Sequence, residues 1–324
     1  MNAPALLRVE GLSKRFRLAR EGFRPAPEVR AVDDVSFSIA AGEVLGLVGE
    51  SGSGKSTLGR LVLRLIEPSA GRIHFEGQDI TGRSSAQMQP LRRAMQMVFQ
   101  DPYASLNPRR NVGEAIGEVL RLHDLVPPAE RAARVAQLLV QVGLDPDDAH
   151  RRPREFSGGQ RQRIAIARAL AVGPRLLVAD EPVSALDVSI QAGILALMRE
   201  LQSRLHLAML FISHDLSVVE VMADRVMVLY LGRVMEVAPT RALYTRPHHP
   251  YTAGLLASAP RLGGVERPRV VLRDEIASAS DPPSGCVFRT RCPFAQARCA
   301  TERPVLRQTG PDRLHACLRD DLGF

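Results

Sequence analysis

The first part of the chain alternates apolar and polar residues in two stretches, at 6–9 and 32–39, with the period of a strand. Residues 44–48 form an uninterrupted apolar run, which indicates a buried strand. Residues 58–66 then repeat apolar positions with the period of a helix. We therefore predict edge strands followed by a strand, a glycine-rich loop and a helix, with a Pro- and Arg-rich insertion at 17–30.

The middle of the chain changes from strand to helix periodicity. Residues 71–80 predict a strand and turn, and residues 95–100 predict a strand that ends in a polar residue. Helical patterns follow at 112–122 and 129–142, separated by two prolines. These helices predict an inserted helical subdomain over about residues 101–160.

Two further apolar runs, 175–180 and 208–213, have the length and composition of buried strands. A helical pattern at 190–205 lies between them, and another at 164–170 precedes them. Strands that alternate with helices in this way are typical of an α/β fold with a parallel sheet.

The loop between the strand at 44–48 and the next helix reads Gly-x-x-x-x-Gly-Lys-Ser. Its glycines let backbone amides converge on phosphate oxygens, while the lysine reaches the terminal phosphates and the serine holds Mg²⁺. A glycine turn without a ligand is the alternative, but the strand-to-helix context favours a nucleoside triphosphate. The predicted nucleotide-binding residues here are Gly49, Glu50, Ser51, Gly52, Ser53, Gly54, Lys55, Ser56 and Thr57.

A second anion site is predicted where Ser157, Gly158, Gly159 and Gln160 precede the helix at 164–170. Serine is a good N-cap, and the two glycines leave the helix N-terminus open to an anion. The alternative is an ordinary capped helix after a flexible turn.

Two carboxylates follow the strand at 175–180. In P-loop ATPases the carboxylate that ends such a strand holds Mg²⁺, and an adjacent one orients the attacking water. Asp180 and Glu181 fit these two roles. His214, at the end of the next strand, is by itself more often a structural histidine than a catalytic one.

Composition narrows the class of protein. A chain of 324 residues, 45% of them hydrophobic, can form one large α/β domain and a smaller one. No apolar run approaches the roughly 18 to 20 residues of a membrane span, and the first ten residues have no signal pattern, so we expect a cytoplasmic protein. The net charge is +8, but the arginines are dispersed among acidic residues, which favours anionic surfaces over nucleic acid as a partner.

Four cysteines, Cys286, Cys292, Cys299 and Cys317, all lie near the C-terminus, separated by five, six and seventeen residues. In a cytoplasmic protein such a set predicts a metal site rather than disulfides. An iron–sulfur cluster, zinc and unliganded buried thiols all remain open. Arginines 289, 291 and 298 lie among these cysteines and are expected to keep the thiolates deprotonated.

Together these motifs resemble the nucleotide-binding subunit of an ABC transporter, over about residues 5–245. The resemblance implies catalytic roles for Glu181, His214 and Gln100, and a Mg²⁺ site at Ser56, Gln100 and Asp180. Phe16 stands where the family places an aromatic under adenine, and Phe156 replaces the leucine that usually begins the signature. The matching segments are Walker A (49–56), the Q-loop (Gln100), the signature (157–160), Walker B (180–181), the D-loop (184–187, with Asp187 at the nucleotide) and the H-loop (His214).

The resemblance is closest to the oligopeptide and dipeptide importers, through residues 97–109, 248–252 and 282–286. It implies ATP, Mg²⁺ and a [4Fe–4S] cluster as cofactors. The implied partners are a second similar ATPase, as a heterodimer or a homodimer, two permease subunits and, indirectly, an extracytoplasmic solute-binding protein. The implied location is peripheral, on the cytoplasmic face of the bacterial inner membrane.

We therefore predict an α/β P-loop ATPase of the ABC type, with an antiparallel β edge and an inserted helical subdomain, that powers import of peptides or related solutes. Residues 1–246 are predicted to form the nucleotide-binding domain and 247–324 a small extension with the four cysteines. The alternative is a soluble ABC ATPase acting on nucleic acid or ribosomes; such proteins usually carry coiled coils or a second ATPase domain. A non-catalytic relative would be expected to lack Glu181 or His214.

Overall fold

The computed structural model describes residues 5–17, 28–101, 106–258, 270, 272, 277–322 and 324. Most of the predicted insertion at 17–30, and residues 102–105 of the turn after Gln100, lie outside the described residues. The elements in chain order are β1 (Ala5–Arg17), β2 (Glu28–Ala40), β3 (Val44–Val48), α1 (Lys55–Val62), β4 (Ala70–Phe75), β5 (Gln78–Asp79), α2 (Ser85–Ala94), β6 (Met95–Val98), α3 (Val112–Leu122), α4 (Arg131–Gln141), α5 (Gly158–Leu170), β7 (Leu176–Asp180), α6 (Val188–Leu205), β8 (Ala208–Ile212), α7 (Leu216–Met222), β9 (Arg225–Tyr230), β10 (Arg233–Pro239), α8 (Thr240–Thr245), α9 (Pro250–Ser258), β11 (Arg307–Gly310) and β12 (Arg313–His315).

The chain folds as two compact units. The first, here called the helical unit, contains Ala40–Glu43 and Gly82–Leu210. The second, called the P-loop unit, contains Ala5–Ile39, Val44–Thr81 and Phe211–Phe324. The described part of the predicted C-terminal extension thus belongs to the same compact unit as the phosphate-binding loop. The domain boundary at 246 stays a prediction.

In the P-loop unit, a four-stranded sheet has the order β2-β1-β4-β5. The strands β1, β4 and β5 pair antiparallel, which confirms the predicted antiparallel edge. Strand β1 is longer than the predicted stretch 6–9, because it continues through a register shift between Glu10 and Ser13. Gly11 accommodates the shift with a φ of 54°.

The remaining strands of the P-loop unit follow the order β11-β12-β10-β9-β3. Strand β3 runs parallel to β9, and all five of its residues are buried, as its apolar run predicted. Strands β9, β10 and β12 pair antiparallel and extend the sheet toward the C-terminus. Helix α1 begins at Lys55 and ends at Val62, three residues earlier at its start and four earlier at its end than the predicted span 58–66.

In the helical unit, β6 and β7 form a parallel pair, and α3, α4 and α5 follow the predicted helical patterns. Asn111 caps α3 through reciprocal bonds with Glu114. Helix α2 is not predicted by the sequence pattern, because it is largely polar and contains Pro90. Among the described residues of the chain, no helix combines the length and apolar character needed to cross a bilayer.

Candidate nucleotide site

The loop between β3 and α1 depends on two glycines that lie against neighbouring backbone. A Cβ on Gly49 would stand 2.2 Å from the carbonyl oxygen of Leu229, and one on Gly54 would stand 2.0 Å from that of Ala31. Gly54 also has a φ of 102°, which residues other than glycine rarely adopt. The glycines at the two ends of the motif are therefore required by close packing of the loop.

Lys55 is 5% exposed and bends back over the loop that precedes it. Its Nζ donates to the carbonyl oxygens of Gly49 at 2.7 Å and Glu50 at 3.0 Å. Gly54 is the N-cap of α1 and has no side chain, so no capping side chain accepts from the first-turn amides of this helix. A buried ammonium and a helix N-terminus lacking a side-chain cap form a cradle for phosphate.

Ser53 supports this assignment independently. Its side chain is 4% exposed, and its Oγ has no hydrogen-bond partner among the described residues. A buried hydroxyl without a partner costs free energy unless a ligand satisfies it. Its backbone carbonyl accepts from the Gly232 amide at 2.9 Å, which ties the loop to the β9–β10 turn.

His214 lies in the same unit, directly after β8, with an exposed side chain. The Ser213 amide donates to the Leu47 carbonyl at 3.1 Å, so β8 ends beside β3. His214 therefore follows the strand next to the phosphate-loop strand, at the carboxyl edge where open α/β sheets bind ligands. Phe16 is 38% exposed on β1, with the Lys14 ammonium 5.2 Å from its ring centre, and its adenine contact stays a prediction.

In the helical unit, the structure brings Gln100, Glu181 and Ser184 together. The Gln100 amide nitrogen donates to Glu181 Oε2 at 3.2 Å and to Ser184 Oγ at 3.4 Å. Ser184 Oγ in turn donates to the Glu181 carbonyl at 3.1 Å. Asp180, 3% exposed, ends the fully buried strand β7. The sequence identified Gln100 and Glu181 and placed Ser184 in the D-loop, but it did not predict that Ser184 links them.

Glu181 has a φ of 48°, a left-handed conformation that is strained for a residue with a side chain. Such a conformation costs about 1 to 3 kcal/mol and persists only where the surroundings hold it. Gln100 and Ser184 provide that hold. The Glu181 side chain is thus held both by its backbone conformation and by its bond from Gln100.

The second predicted anion site also lies in the helical unit. Ser157 caps α5, accepting from the Gln160 amide, and the Gln160 side chain accepts from the Ser157 amide. The predicted Ser157 cap is confirmed, whereas anion binding at this helix start stays a prediction. Phe156, which departs from the family pattern, is 3% exposed and packs under the Arg151 guanidinium at 4.4 Å. Its difference from leucine therefore affects packing rather than the helix N-terminus.

The two signature glycines have neighbours that the sequence did not reveal. A Cβ on Gly159 would be 2.4 Å from Ile190, and one on Gly158 would be 3.1 Å from Leu186. Leu186 lies in the D-loop and Ile190 in the first turn of α6, and the Gln191 side-chain amide holds this segment by donating to the Val183 and Leu186 carbonyls. Asp187 is exposed and makes no side-chain cap on α6.

The four cysteines line one small cavity of about 20 Å³ in the P-loop unit, together with Phe288, Phe294 and Leu322. None forms a disulfide. Burial, with smaller contributions from the neighbouring thiols, raises the pKa of Cys286 to about 11 and that of Cys292 to about 12. Burial also raises the pKa of Cys317.

These shifts oppose the expectation that nearby arginines keep the thiols ionised. Arg291 pairs with Glu50 and Arg298 pairs with Glu302, whereas Arg289 lines the cavity with the cysteines and donates to the Ser284 carbonyl. Among the described residues, no group of three or more histidine, cysteine or acidic side chains is arranged to hold a metal ion. The iron–sulfur cluster implied by the resemblance is therefore not shown.

Residues 248–252 lead into α9, which begins at Pro250. Glu236, 1% exposed, accepts from the amides of His248 at 2.8 Å and His249 at 3.0 Å. The His249 ring nitrogen accepts from the Tyr251 amide at 3.1 Å. The Tyr251 hydroxyl accepts from the Glu50 amide at 3.1 Å, which connects this helix start to the phosphate loop.

Comparisons with known proteins agree with this geometry. Residues 32–184 match the ABC transporter family, and residues 235–299 match the C-terminal region of oligopeptide/dipeptide transporters. A putative peptide import ATP-binding protein of Brucella ovis is 54% identical over 323 residues, covering 99% of this chain and 100% of that protein. The oligopeptide transport ATP-binding protein AppF of Bacillus subtilis is 50% identical over 321 residues, covering 98% of each.

Two solved structures share the fold. The ATP-binding cassette MJ0796, in a dimeric post-hydrolysis state with ADP and Pi, has a TM-score of 0.64 and 28% identity, covering 72% of this chain and 99% of that one. The cbiO1 subunit of Clostridium perfringens also has a TM-score of 0.64 and 28% identity, covering 74% of this chain and 91% of that one. The chain thus belongs to the ABC transporter ATP-binding family and carries the C-terminal region of the oligopeptide/dipeptide transporters.

Proposed function

We propose that this chain binds and hydrolyses ATP to power import of di- and oligopeptides, or related small solutes, through a multi-subunit ABC transporter. The observation that carries the proposal is the Gln100–Glu181–Ser184 arrangement, in a chain that also has the buried Lys55 cradle. The relatives named above match this chain over nearly their whole length, and their names assign them to peptide import or oligopeptide transport. No observation favours the alternative of action on nucleic acid.

In this proposal the loop amides and Lys55 hold the phosphates, and Ser53 Oγ gains the partner that it lacks. Ser56, Gln100 and Asp180 are the candidate ligands of Mg²⁺, which neutralises phosphate charge when bound. Glu181 orients the attacking water and accepts its proton, while Gln100 positions that carboxylate. His214 is assigned to the terminal phosphate.

We assign the exposed start of α5 to ATP held by a second, similar ATPase subunit. Ser157 and Gln160 use their amides in the capping bonds, so the amides assigned to the phosphate are those of Gly158 and Gly159 between them. Asp187 lies exposed at the start of the next helix. A helix N-terminus attracts anionic phosphate. ATP would then hold two subunits together, and hydrolysis would release them; a heterodimer and a homodimer both satisfy this arrangement.

The remaining partners are two permease subunits, which the residues after Gln100 and the helical unit would contact. The solute would be selected by those permeases and by an extracytoplasmic binding protein rather than by this chain. The subunit would then be attached peripherally to the cytoplasmic face of the inner membrane.

A growth assay tests the proposal. A strain that lacks this gene and cannot make one amino acid should fail to grow when that amino acid is supplied only within peptides, yet grow on the free amino acid. The intact gene should restore growth, and the gene with Lys55→Ala should not, because the cation contacts both bound and reacting phosphates. Normal growth of the deletion strain on every peptide tested would contradict peptide import.

We further propose a [4Fe–4S] cluster at Cys286, Cys292, Cys299 and Cys317. The support is that all four cysteines line one cavity with a largely apolar lining, where a bound metal would have to displace the thiol protons. Such a cluster would stabilise a small region that has little core of its own.

Anaerobic purification tests the cluster directly. The full chain should be brown and contain about four iron and four sulfide per chain, and Cys292→Ser should lose both. A colourless protein with about one zinc would replace the cluster with a tetrahedral thiolate site. Absence of any metal would leave the cysteines as core thiols.

A further inference from the structure

Glu50, the residue after the first glycine of the phosphate-binding loop, is held by the C-terminal part of the chain. The Arg291 guanidinium forms two parallel bonds to the Glu50 carboxylate, at 2.6 and 3.0 Å. The Arg291 side chain is 6% exposed and that of Glu50 is 25% exposed. Two parallel bonds fix orientation as well as distance, and the partial burial protects the pair from screening by salt.

The Glu50 backbone is held from the same side. Its amide donates to the hydroxyl of Tyr251, a fully buried residue. The Tyr251 ring packs against Tyr230, with ring centres 4.8 Å apart, and against Phe288 at 5.3 Å. Phe288 also accepts the Arg291 amide at 3.0 Å through its carbonyl. A buried aromatic cluster therefore fixes the turn from which Arg291 reaches the loop.

Glu50 also contacts the functional cation of the loop. Its carbonyl oxygen accepts from Lys55 Nζ at 3.0 Å, so the residue held by Arg291 and Tyr251 helps to position the Lys55 ammonium. Displacement of Glu50 would therefore displace the group that binds the terminal phosphates.

Charge gives Arg291 a second role. Without a partner, the Glu50 carboxylate would be a negative charge at the site where a polyphosphate binds, and it would oppose ATP. A guanidinium stays protonated at every physiological pH, so Arg291, bound to both oxygens of Glu50, neutralises the carboxylate.

We propose that Arg291 is a positioning residue for ATP binding: it holds Glu50 in place and neutralises it, so that the C-terminal region sets the ATP affinity of the phosphate loop. The inference rests on ATP binding at this loop and is independent of which solute is transported. It assigns the C-terminal region a role at the nucleotide site that does not require a metal.

The test is a nucleotide titration of the full chain, in which the fluorescence of a labelled ATP reports binding. Arg291→Gln should weaken ATP binding about tenfold, and the loss should be smaller for ADP, because the unpaired carboxylate repels the more highly charged nucleotide more strongly. The loss should shrink as salt is raised. In the assembled transporter the KM for ATP should rise while kcat changes less than twofold.

Variants of the same pair separate this role from a general loss of folding. Arg291→Lys should recover part of the affinity, since it keeps the charge but loses the parallel bonds. The double variant Glu50→Gln with Arg291→Gln should bind ATP more tightly than Arg291→Gln alone, because the repelling charge is gone. Arg298→Gln, which breaks the exposed Arg298–Glu302 pair of the same region, should leave ATP affinity unchanged.

Equal loss of ATP and ADP binding that the double variant does not relieve would overturn the proposal, as would unchanged ATP affinity in Arg291→Gln. If ATP affinity behaves as expected while peptide uptake is absent, the positioning role stands and the transport proposal fails.

Discussion

At the scale of single residues, the ATPase assignment depends most on Glu181. Its left-handed backbone is unusual for a glutamate, and its side chain is already engaged by Gln100 at 3.2 Å. Glutamine at this position would keep the shape and these contacts, but it could not accept a proton from water. The chemistry can therefore be separated from the structure with one substitution.

Glu181→Gln should retain ATP affinity and lower the hydrolysis rate by about 10² to 10⁴, the usual contribution of a general base. Turnover of the assembled complex and equilibrium nucleotide binding are the two measurements. Glu200→Gln is a matched control, because it removes a carboxylate of the exposed Glu200–Arg204 pair on α6. Turnover near that of the wild type in Glu181→Gln would remove this residue from the role.

At the scale of elements, two different explanations account for the glycines at the start of α5. Packing is one reason, since a Cβ on Gly159 would meet Ile190 at 2.4 Å. Approach of the helix amides to a phosphate is the other. The two reasons predict different results when Ile190 is shortened.

Gly159→Ala should lower the thermal midpoint by a few degrees, as expected for overpacking of about 1 kcal/mol in a domain of this size. Adding Ile190→Ala should restore the midpoint. If the proposed second phosphate site is correct, ATP hydrolysis by the complex should remain low in both variants, because a Cβ beside the Gly159 amide restricts the approach of a phosphate to it. Full recovery of hydrolysis in the double variant would assign the glycine to packing alone.

The folding stability should depend on pH through His249, which is buried just before α9. Burial lowers the pKa of His249 from 6.5 to about 3, while the unfolded chain retains the higher value. Between these values the unfolded state binds a proton that the folded state does not, so stability is complete above pH 6.5 and falls as the pH decreases.

The free energy of unfolding should fall by about 2 kcal/mol from this group between pH 7 and pH 5, at about 1.4 kcal/mol per unit. His249→Asn keeps an acceptor for the Tyr251 amide without a titrating ring. Urea unfolding at both pH values should therefore give a shallower pH dependence for the variant. Identical pH dependence of the two proteins would show that His249 does not titrate on unfolding.

At the scale of the whole molecule, local patterns were enough to predict the strand–loop–helix at Lys55 and the cap at Ser157. They failed for α2, whose residues are mostly polar. They also could not find the Glu50–Arg291 pair, whose members are 241 residues apart, since no local period records such a contact. The cysteines were grouped correctly in one cavity, which Arg289 also lines, but Arg291 and Arg298 pair with carboxylates instead.

The same long-range contacts change the view of the C-terminal region. The sequence presents residues 247–324 as a separate extension, whereas Tyr251 and Arg291 lie in one compact unit with the phosphate loop and hold Glu50. A region that marks the chain as a peptide-transporter relative therefore also supports its ATP site.

The most direct test of the account is ATP-driven peptide uptake in proteoliposomes. They would contain the proposed complex of this chain, a second ATPase subunit and two permeases, with the solute-binding protein on the side of the bilayer opposite the ATPase subunits. We predict that labelled peptide accumulates only when ATP is present on the side of the ATPase subunits, and that Glu181→Gln abolishes accumulation while leaving the complex assembled. Uptake that proceeds without ATP, or that is unaffected by Glu181→Gln, would contradict the central claim.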